Sequence, residues 1–91
     1  MDKKQIALLL ESIIQLENTN EAFVFLQDLC TIKEIEDMQH RLEIAQGLYE
    51  GKTFSEVQVE TGASSTTVSR VSRCLKYGEG YNTILKKRNA K

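Results

Sequence analysis

The segment FSEVQVETGASSTTVSRVSR, which runs from Phe54 to Arg73, decides the fold of this chain. Gly62 divides the segment into two short runs, and glycine readily adopts the positive φ of a tight turn. Two short helices that cross at such a turn need small or apolar residues at fixed inward positions. Counted from Phe54, the fourth, eighth, tenth, fifteenth and eighteenth positions hold Val57, Thr61, Ala63, Val68 and Val71. Four of these five residues are apolar, so the segment predicts a helix-turn-helix. One departure from the pattern is Gln58, which stands at position five of the segment, where alanine is usual.

Capping signals next to this segment mark where helices begin and end. Thr53 and Thr31 are each followed by a glutamate three residues later, the pattern of a capping box at a helix start. The box at Thr53 opens a short helix of about two turns that ends at Gly62. The box at Thr31 opens a long helix over about residues 32–50, and Gly51 is placed to end it in the left-handed conformation.

Further helices are predicted on both sides. Ser64 or Ser65 can cap the second helix of the helix-turn-helix, which runs to about Tyr77 and stops at Gly78. Apolar residues at spacings of three and four predict two helices near the N-terminus, over residues 3–17 with Asp2 as the cap and over about 21–29. A last helix covers about residues 82–87, and the Lys86-Lys87-Arg88 tail is expected to fray.

These six segments predict an all-α fold. The chain has 91 residues, enough for one domain over residues 1–91 and too few for two. It has no proline and only five glycines, which favours long helices over strands and turns. Within the domain, we assign residues 2–50 to dimerisation, 54–73 to the helix-turn-helix and 81–91 to a C-terminal helix and tail.

Charge is divided unevenly along the chain, whose net charge is −1. Residues 1–50 carry four basic and ten acidic groups, whereas residues 51–91 carry eight basic and three acidic groups. This asymmetry predicts an acidic scaffold that carries a basic working face. Unequal surface charge without a partner is the alternative.

Several classes of protein are disfavoured. No apolar run approaches the roughly 20 residues of a membrane span, and the start does not resemble a signal peptide, so we expect a cytoplasmic protein that contacts no membrane. Cys30 and Cys74 are expected to be reduced thiols rather than a long-range disulfide. His40 is interpreted as a surface or packing residue and not as a metal ligand. No arrangement of nucleophile, acid and base is present, so we predict no enzyme, no metal and no cofactor. The carboxylates of the long helix point to different faces and do not form an acid/base pair: Glu34, Glu36, Asp37 and Glu43.

The exposed positions of the second short helix carry the functional prediction. Hydroxyl groups bond phosphates or base edges, and arginine can pair bidentately with guanine. The residues predicted to contact DNA in this way are Ser64, Ser65, Thr66, Ser69, Arg70 and Arg73, with Lys52 and Lys76 as phosphate contacts. The pattern predicts a helix that reads the major groove of double-stranded DNA. A helical module that uses the same surface for a protein partner is the alternative.

Residues along most of the chain resemble the Trp repressor family. The resemblance is carried by Leu29-Cys30-Thr31, Glu34, Arg41, the long helix to Gly51 and the run Thr61–Arg70. Within that family the chain is most similar to the YerC/YecD-type branch. The motifs of that branch are DLCT at residues 28–31, EGKT at 50–53, ETGAS at 60–64, and SRV at 69–71 followed by RCL at 73–75.

The resemblance implies an intertwined homodimer in which N-terminal helices wrap the partner and two helix-turn-helix units face the DNA. Such a dimer would act as a transcription regulator, and a repressor is the expected kind. A dimer also agrees with an apolar surface that one small subunit cannot hide, formed by Ile6, Leu9, Leu10, Ile13, Phe23 and Phe25.

The resemblance also locates a ligand pocket. In the Trp repressor itself, tryptophan lies between the long helix and the recognition helix, and Arg41, Arg70 and Thr31 match residues that hold it. The glycine that leaves space for the indole is replaced here by Val71, and a pocket serine is replaced by Cys74. Both changes shrink or depolarise the pocket, so we predict no tryptophan corepressor and no small-molecule effector.

Overall fold

A computed structural model describes residues 1–90 of the chain. A 3₁₀ turn over Lys3–Ile6 leads into six α-helices: α1 (Ala7–Ile14), α2 (Thr19–Leu29), α3 (Ile32–Tyr49), α4 (Phe54–Thr61), α5 (Ser65–Tyr77) and α6 (Gly80–Asn89). Residues 1–90 contain no strand, so the predicted all-α, six-helix fold is confirmed. No helix in that range is long and apolar enough to cross a membrane.

Both predicted capping boxes are formed. The Thr53 hydroxyl accepts from the Glu56 N–H at 3.1 Å, and the Glu56 carboxylate accepts from the Thr53 N–H at 3.0 Å. The same reciprocal pair joins Thr31 and Glu34 at 3.1 and 2.8 Å. Each pair satisfies N–H groups that a helix start leaves without intrahelical partners, which fixes where α4 and α3 begin.

Glycines end two helices in the predicted way and a third helix differently. Gly51 follows α3 with φ of 94°, and Gly62 follows α4 with φ of 72°. Both backbones are left-handed, which favours glycine because it has no Cβ. Gly78 follows α5 with φ of −106°. There a Cβ would lie 2.8 Å from the Cys74 carbonyl oxygen, so close approach explains this glycine.

The predicted Asp2 cap is formed, whereas two predicted bounds of the N-terminal helices were wrong by two or three residues. The chain starts as a 3₁₀ turn, and α1 ends at Ile14 rather than at residue 17. The N–H groups of Gln15 and Leu16 bond carbonyls three residues back, which tightens and closes the helix. The next helix begins at Thr19 rather than near residue 21, because the Asn18 side chain caps it by accepting from the Glu21 N–H at 2.9 Å.

The prediction of a short last helix with a frayed basic tail was also wrong. Helix α6 extends from Gly80 to Asn89 and includes Lys86, Lys87 and Arg88. Its end is held because the Asn89 amide donates to the Leu85 carbonyl at 2.6 Å and its Oδ1 accepts from Gln46 at 3.1 Å. The basic residues therefore belong to a folded helix.

The structure divides into two compact units, residues 1–35 and the residues from Glu36 onward. In the N-terminal unit, α1 and α2 contain no buried residue. Large apolar side chains are exposed there, among them Leu8 at 80% and Ile14 at 79%. This unit therefore presents apolar surface that the chain does not cover.

The second unit contains the buried core. Its fully buried apolar side chains come from four helices: Ile44 and Ala45 of α3, Val57 of α4, Val68 and Val71 of α5, and Leu85 of α6. Helices α3 and α4 approach closely at Gly47, where a Cβ would lie 3.1 Å from a Val57 methyl group. The core therefore anchors α4 and α5 on the C-terminal part of α3.

Candidate nucleic-acid interface

The turn between α4 and α5 has the predicted helix-turn-helix packing. Val57, Val68 and Val71 are buried, and Ala63 packs against them. Thr61 is the one polar residue among the five predicted inward positions. Its hydroxyl donates to the Val57 carbonyl at 2.7 Å and accepts from the Ala63 N–H at 3.3 Å. Because one bond lies in the last turn of α4 and the other in the turn that follows, the polar side chain is satisfied where an apolar one was expected.

Gln58 occupies the position where alanine is usual, and it is partly buried. Its carbonyl accepts from the Gly62 N–H at 2.9 Å, the bond that closes α4. The turn therefore forms despite this departure from the pattern.

The face of α5 opposite the core carries the predicted contact residues. Ser65, Thr66, Ser69, Arg70 and Arg73 are all exposed, and together with Cys74 they line one shallow groove. Helix α5 contains two arginines and a lysine but no acidic residue. The structure thus brings these five predicted residues together on one positively charged surface.

Ser64 stands at the start of α5 and is already engaged. Its hydroxyl oxygen accepts from the Thr67 N–H at 3.2 Å and lies 3.0 Å from the Thr67 hydroxyl. This bond makes Ser64, rather than Ser65, the N-cap of α5. The start of α5 also carries the positive end of the helix dipole, which favours a nearby phosphate.

The two predicted phosphate contacts have different surroundings. Lys52 lies before α4, and its ammonium group is 2.8 Å from the Glu60 carboxylate. This hydrogen bond and the charge of Glu60 raise the pKa of Lys52 above its ordinary value. Lys76 lies on α5, with its ammonium nitrogen 5.5 Å from the centre of the Tyr77 ring. Lys52 would thus have to release or share Glu60 to bind a phosphate, whereas no acidic residue lies on the helix of Lys76.

The residues of the predicted ligand pocket have different surroundings. Arg70 and Cys74 line the same groove, but Val71 is 2% exposed and belongs to the core. Arg41 is exposed on α3. Thr31 belongs to the N-terminal unit, where its hydroxyl takes part in the capping box with Glu34.

Tyr77, the last residue of α5, was not among the predicted contact residues. Its side chain is 75% exposed. It follows Arg73 by four residues and Arg70 by seven, which are spacings that return to the same face of a helix. These spacings were the signal that could have found it.

This chain has a helix-turn-helix whose second helix exposes arginines and hydroxyl groups. These are the features of the class of helix-turn-helix DNA-binding proteins. The family model described as Trp repressor protein matches residues 4–89. The chain therefore belongs to the Trp repressor family, a family of DNA-binding regulators.

Individual relatives agree with this assignment. The uncharacterized protein YerC of Bacillus subtilis (strain 168) is 48% identical over 75 residues, which are 82% of this chain and 72% of that protein. A TrpR-like protein from Eubacterium eligens ATCC 27750 has a similar structure, with a TM-score of 0.86 and 38% identity over 92% of this chain and 88% of its own. The structure of a putative Trp repressor from Staphylococcus aureus gives a TM-score of 0.89 and 35% identity over 100% and 97% of the two chains. The predicted membership of the YerC-type branch is confirmed.

Proposed function

We propose that the chain is a sequence-specific regulator of transcription, and in particular a repressor, that inserts α5 into the major groove of double-stranded DNA. The observation that carries the proposal is the acid-free, exposed face of α5, held in place by Val68 and Val71 in the core. An α-helix is about 10–12 Å across with its side chains, which matches a major groove about 12 Å wide. The protein would act in the bacterial cytoplasm, where its DNA is.

The residues of the proposed interface divide into two roles. Arg70 and Arg73 are long enough to reach base edges and would select guanine through its O6 and N7 atoms. Ser65, Thr66 and Ser69 would bond phosphates or base edges near the start of α5. Three further residues would hold the DNA backbone and set the position of the helix: Ser64, Lys52 and Lys76.

We further propose that the active form is a homodimer built on residues 2–50. The apolar surface of α1 and α2 supports this, since neither helix buries a residue within the chain. Two neighbouring helices with exposed apolar side chains are typical of surfaces that pack against another subunit. The dimer would present two recognition helices to the two halves of one operator.

No small molecule is needed in this proposal. Val71 fills the inner side of α5 permanently, at the position where the Trp repressor leaves space beside a glycine. If α5 is fixed in this way, tryptophan has no binding equilibrium through which it could change the fraction of protein that is able to bind DNA.

In vitro selection from random duplexes with the purified protein tests the proposal. We expect enrichment of one near-palindromic site and a steep fall of affinity with salt, because phosphate contacts release counterions. An Arg70→Ala/Arg73→Ala double variant should lose the enrichment, while Arg88→Ala on α6 serves as the matched control and should keep it. Weak binding that salt does not change, together with co-purification of one protein partner, would favour a protein-interaction module instead.

A further inference from the structure

We propose that Tyr77 is a DNA-backbone contact, whose phenol O–H donates to a phosphate at the edge of the major groove beside the Lys76 ammonium. The inference rests on the proposed function and extends the contact surface by one residue at the far end of α5. It adds a phenol group to the charged and hydroxyl groups already assigned.

The first argument is the position of Tyr77 around the helix. At 3.6 residues per turn, Thr66, Arg70, Arg73 and Tyr77 fall within about 60° of one another. Val68 and Val71 lie on the opposite side, in the core. Tyr77 thus continues the stripe that begins with the hydroxyl of Thr66 and contains both arginines.

The second argument is distance along the helix. Eleven residues separate Thr66 from Tyr77, which is about 16 Å at 1.5 Å per residue. The major groove is only about 8.5 Å deep. If the start of α5 reaches the base edges and the helix enters by that end, the backbone of Tyr77 lies about 8 Å outside the rim of the groove, so its side chain can reach the sugar-phosphate backbone but not the bases. Long helical side chains also lean toward the helix N-terminus, which directs the phenol toward the DNA.

The third argument is that the fold does not require an exposed tyrosine here. Tyr81 packs against the core and Tyr49 is 41% exposed, whereas Tyr77 is 75% exposed. The turn after Tyr77 is fixed, because the Asn82 amide donates to the Leu75 carbonyl at 2.7 Å and to the Gly78 carbonyl at 3.3 Å. The backbone that carries the exposed ring is therefore held at a defined place, and the Lys76 ammonium lies 5.5 Å from the centre of the ring.

The salt dependence of DNA binding would distinguish the contact of Tyr77 from that of Lys76. Lys76 would release counterions when it binds a phosphate, and a neutral phenol would not. We therefore expect Tyr77→Phe to weaken binding of the selected site about three- to tenfold for each bound subunit, the range of one hydrogen bond, with an unchanged salt slope. Lys76→Gln should reduce that slope by about 0.9 for each bound subunit. Tyr49→Phe is the matched control and should bind as the parent does.

The experiment is fluorescence anisotropy with the selected duplex at several salt concentrations, followed by a scan in which single phosphates are replaced by neutral methylphosphonates. At the contacted phosphate, the difference between parent and Tyr77→Phe should disappear. A Tyr77→Phe affinity within twofold of the parent overturns the inference, as does a loss that persists whichever phosphate is replaced. A changed oligomeric state of Tyr77→Phe in sedimentation would assign the residue to self-association and also overturn it. A parent that binds no duplex would overturn the proposed function as well, whereas a binding parent with an unaffected variant overturns only this inference.

Discussion

Arg70 and Arg73 lie on the same exposed stripe of α5, three residues apart. Three residues correspond to about 4.5 Å along a helix and about 60° around it, so the two guanidinium groups leave α5 at different points. They can therefore reach different base edges rather than share one. Sequence choice at two positions can thus be assigned to separate side chains.

We predict that Arg70→Ala and Arg73→Ala each cost about 1–3 kcal/mol on the preferred site and relax specificity at one base position. The loss arises because a guanine O6 and N7 pair loses its bidentate donor. Binding of each variant to the selected duplex and to its single-base variants measures both effects. Parental affinity and parental base preference in both variants would show that neither arginine reads a base.

Val71 carries the prediction about ligands. Its branched side chain is stiff at χ1 and is buried in the core, so it cannot move aside for an indole. We expect DNA binding without any small molecule and no measurable affinity for tryptophan. Titration calorimetry with L-tryptophan at millimolar concentration is the measurement, and a saturable heat accompanied by rising DNA affinity would contradict the prediction.

A pair of variants separates the space at this position from the loss of packing. Val71→Gly restores the glycine of the Trp repressor, whereas Val71→Ala removes most of the same volume but keeps a Cβ. A tryptophan response in the glycine variant alone would support the steric explanation.

At the scale of the helices, local signals predicted the starts and several of the ends. The boxes at Thr53 and Thr31 and the turn at Gly62 involve residues no more than a few positions apart, so their chemistry can be recognised in the sequence. The extension of α6 could not be recognised in this way. One of the two bonds that hold the end of the helix joins Asn89 to Gln46, which are 43 positions apart in the chain.

The contact surface, too, has features that the sequence could predict and one that it could not. The clustering of hydroxyls and arginines on α5 followed from helical spacing alone. The pairing of Lys52 with Glu60 did not, because it joins side chains across the length of α4 and depends on how the preceding turn directs the lysine.

The capping box of α4 predicts a pH dependence of stability. The Glu56 carboxylate accepts a hydrogen bond from the Thr53 N–H and, as the smaller cause, from the Thr53 hydroxyl group, and both lower the pKa of Glu56 below its ordinary value of 4.5. Because the folded pKa is the lower one, the contribution of Glu56 to stability is complete above the ordinary value and is lost as pH falls through the folded value. We expect Glu56→Ala to destabilise the protein near neutral pH, with a smaller difference from the parent in acid.

Urea unfolding across this pH range measures the difference. Glu79 is a suitable control, since it stands at the start of α6 but makes no side-chain capping bond. Glu79→Ala should show no such pH dependence. Equal pH dependence in the two variants would mean that the box is not the source of the effect.

At the scale of the whole molecule, the two units have different properties. The core lies in the residues that support the helix-turn-helix, and the excess of positive charge lies in the same half of the sequence. The N-terminal unit carries an excess of acidic residues and exposes its apolar side chains. A negatively charged, apolar surface is unsuited to DNA and well suited to another protein subunit. The distribution of charge and burial thus favours separate roles in assembly and in DNA binding.

The last prediction concerns this assembly. If α1 and α2 pack across a two-fold axis, the chain forms a homodimer, and its two recognition helices should read half-sites about 34–36 Å apart or a multiple of that distance. The operator should then be near-palindromic, and inserting about five base pairs, half a helical turn, between its halves should abolish tight binding. Placing charge in the apolar surface, as in Ile13→Glu, should separate the subunits and weaken DNA binding, since each helix-turn-helix unit would then bind alone. Glu11→Lys, which changes charge on the same helix without removing an apolar side chain, is the control. Analytical ultracentrifugation at micromolar concentration measures the assembly, and a stable, folded monomer of the parent chain would contradict the prediction.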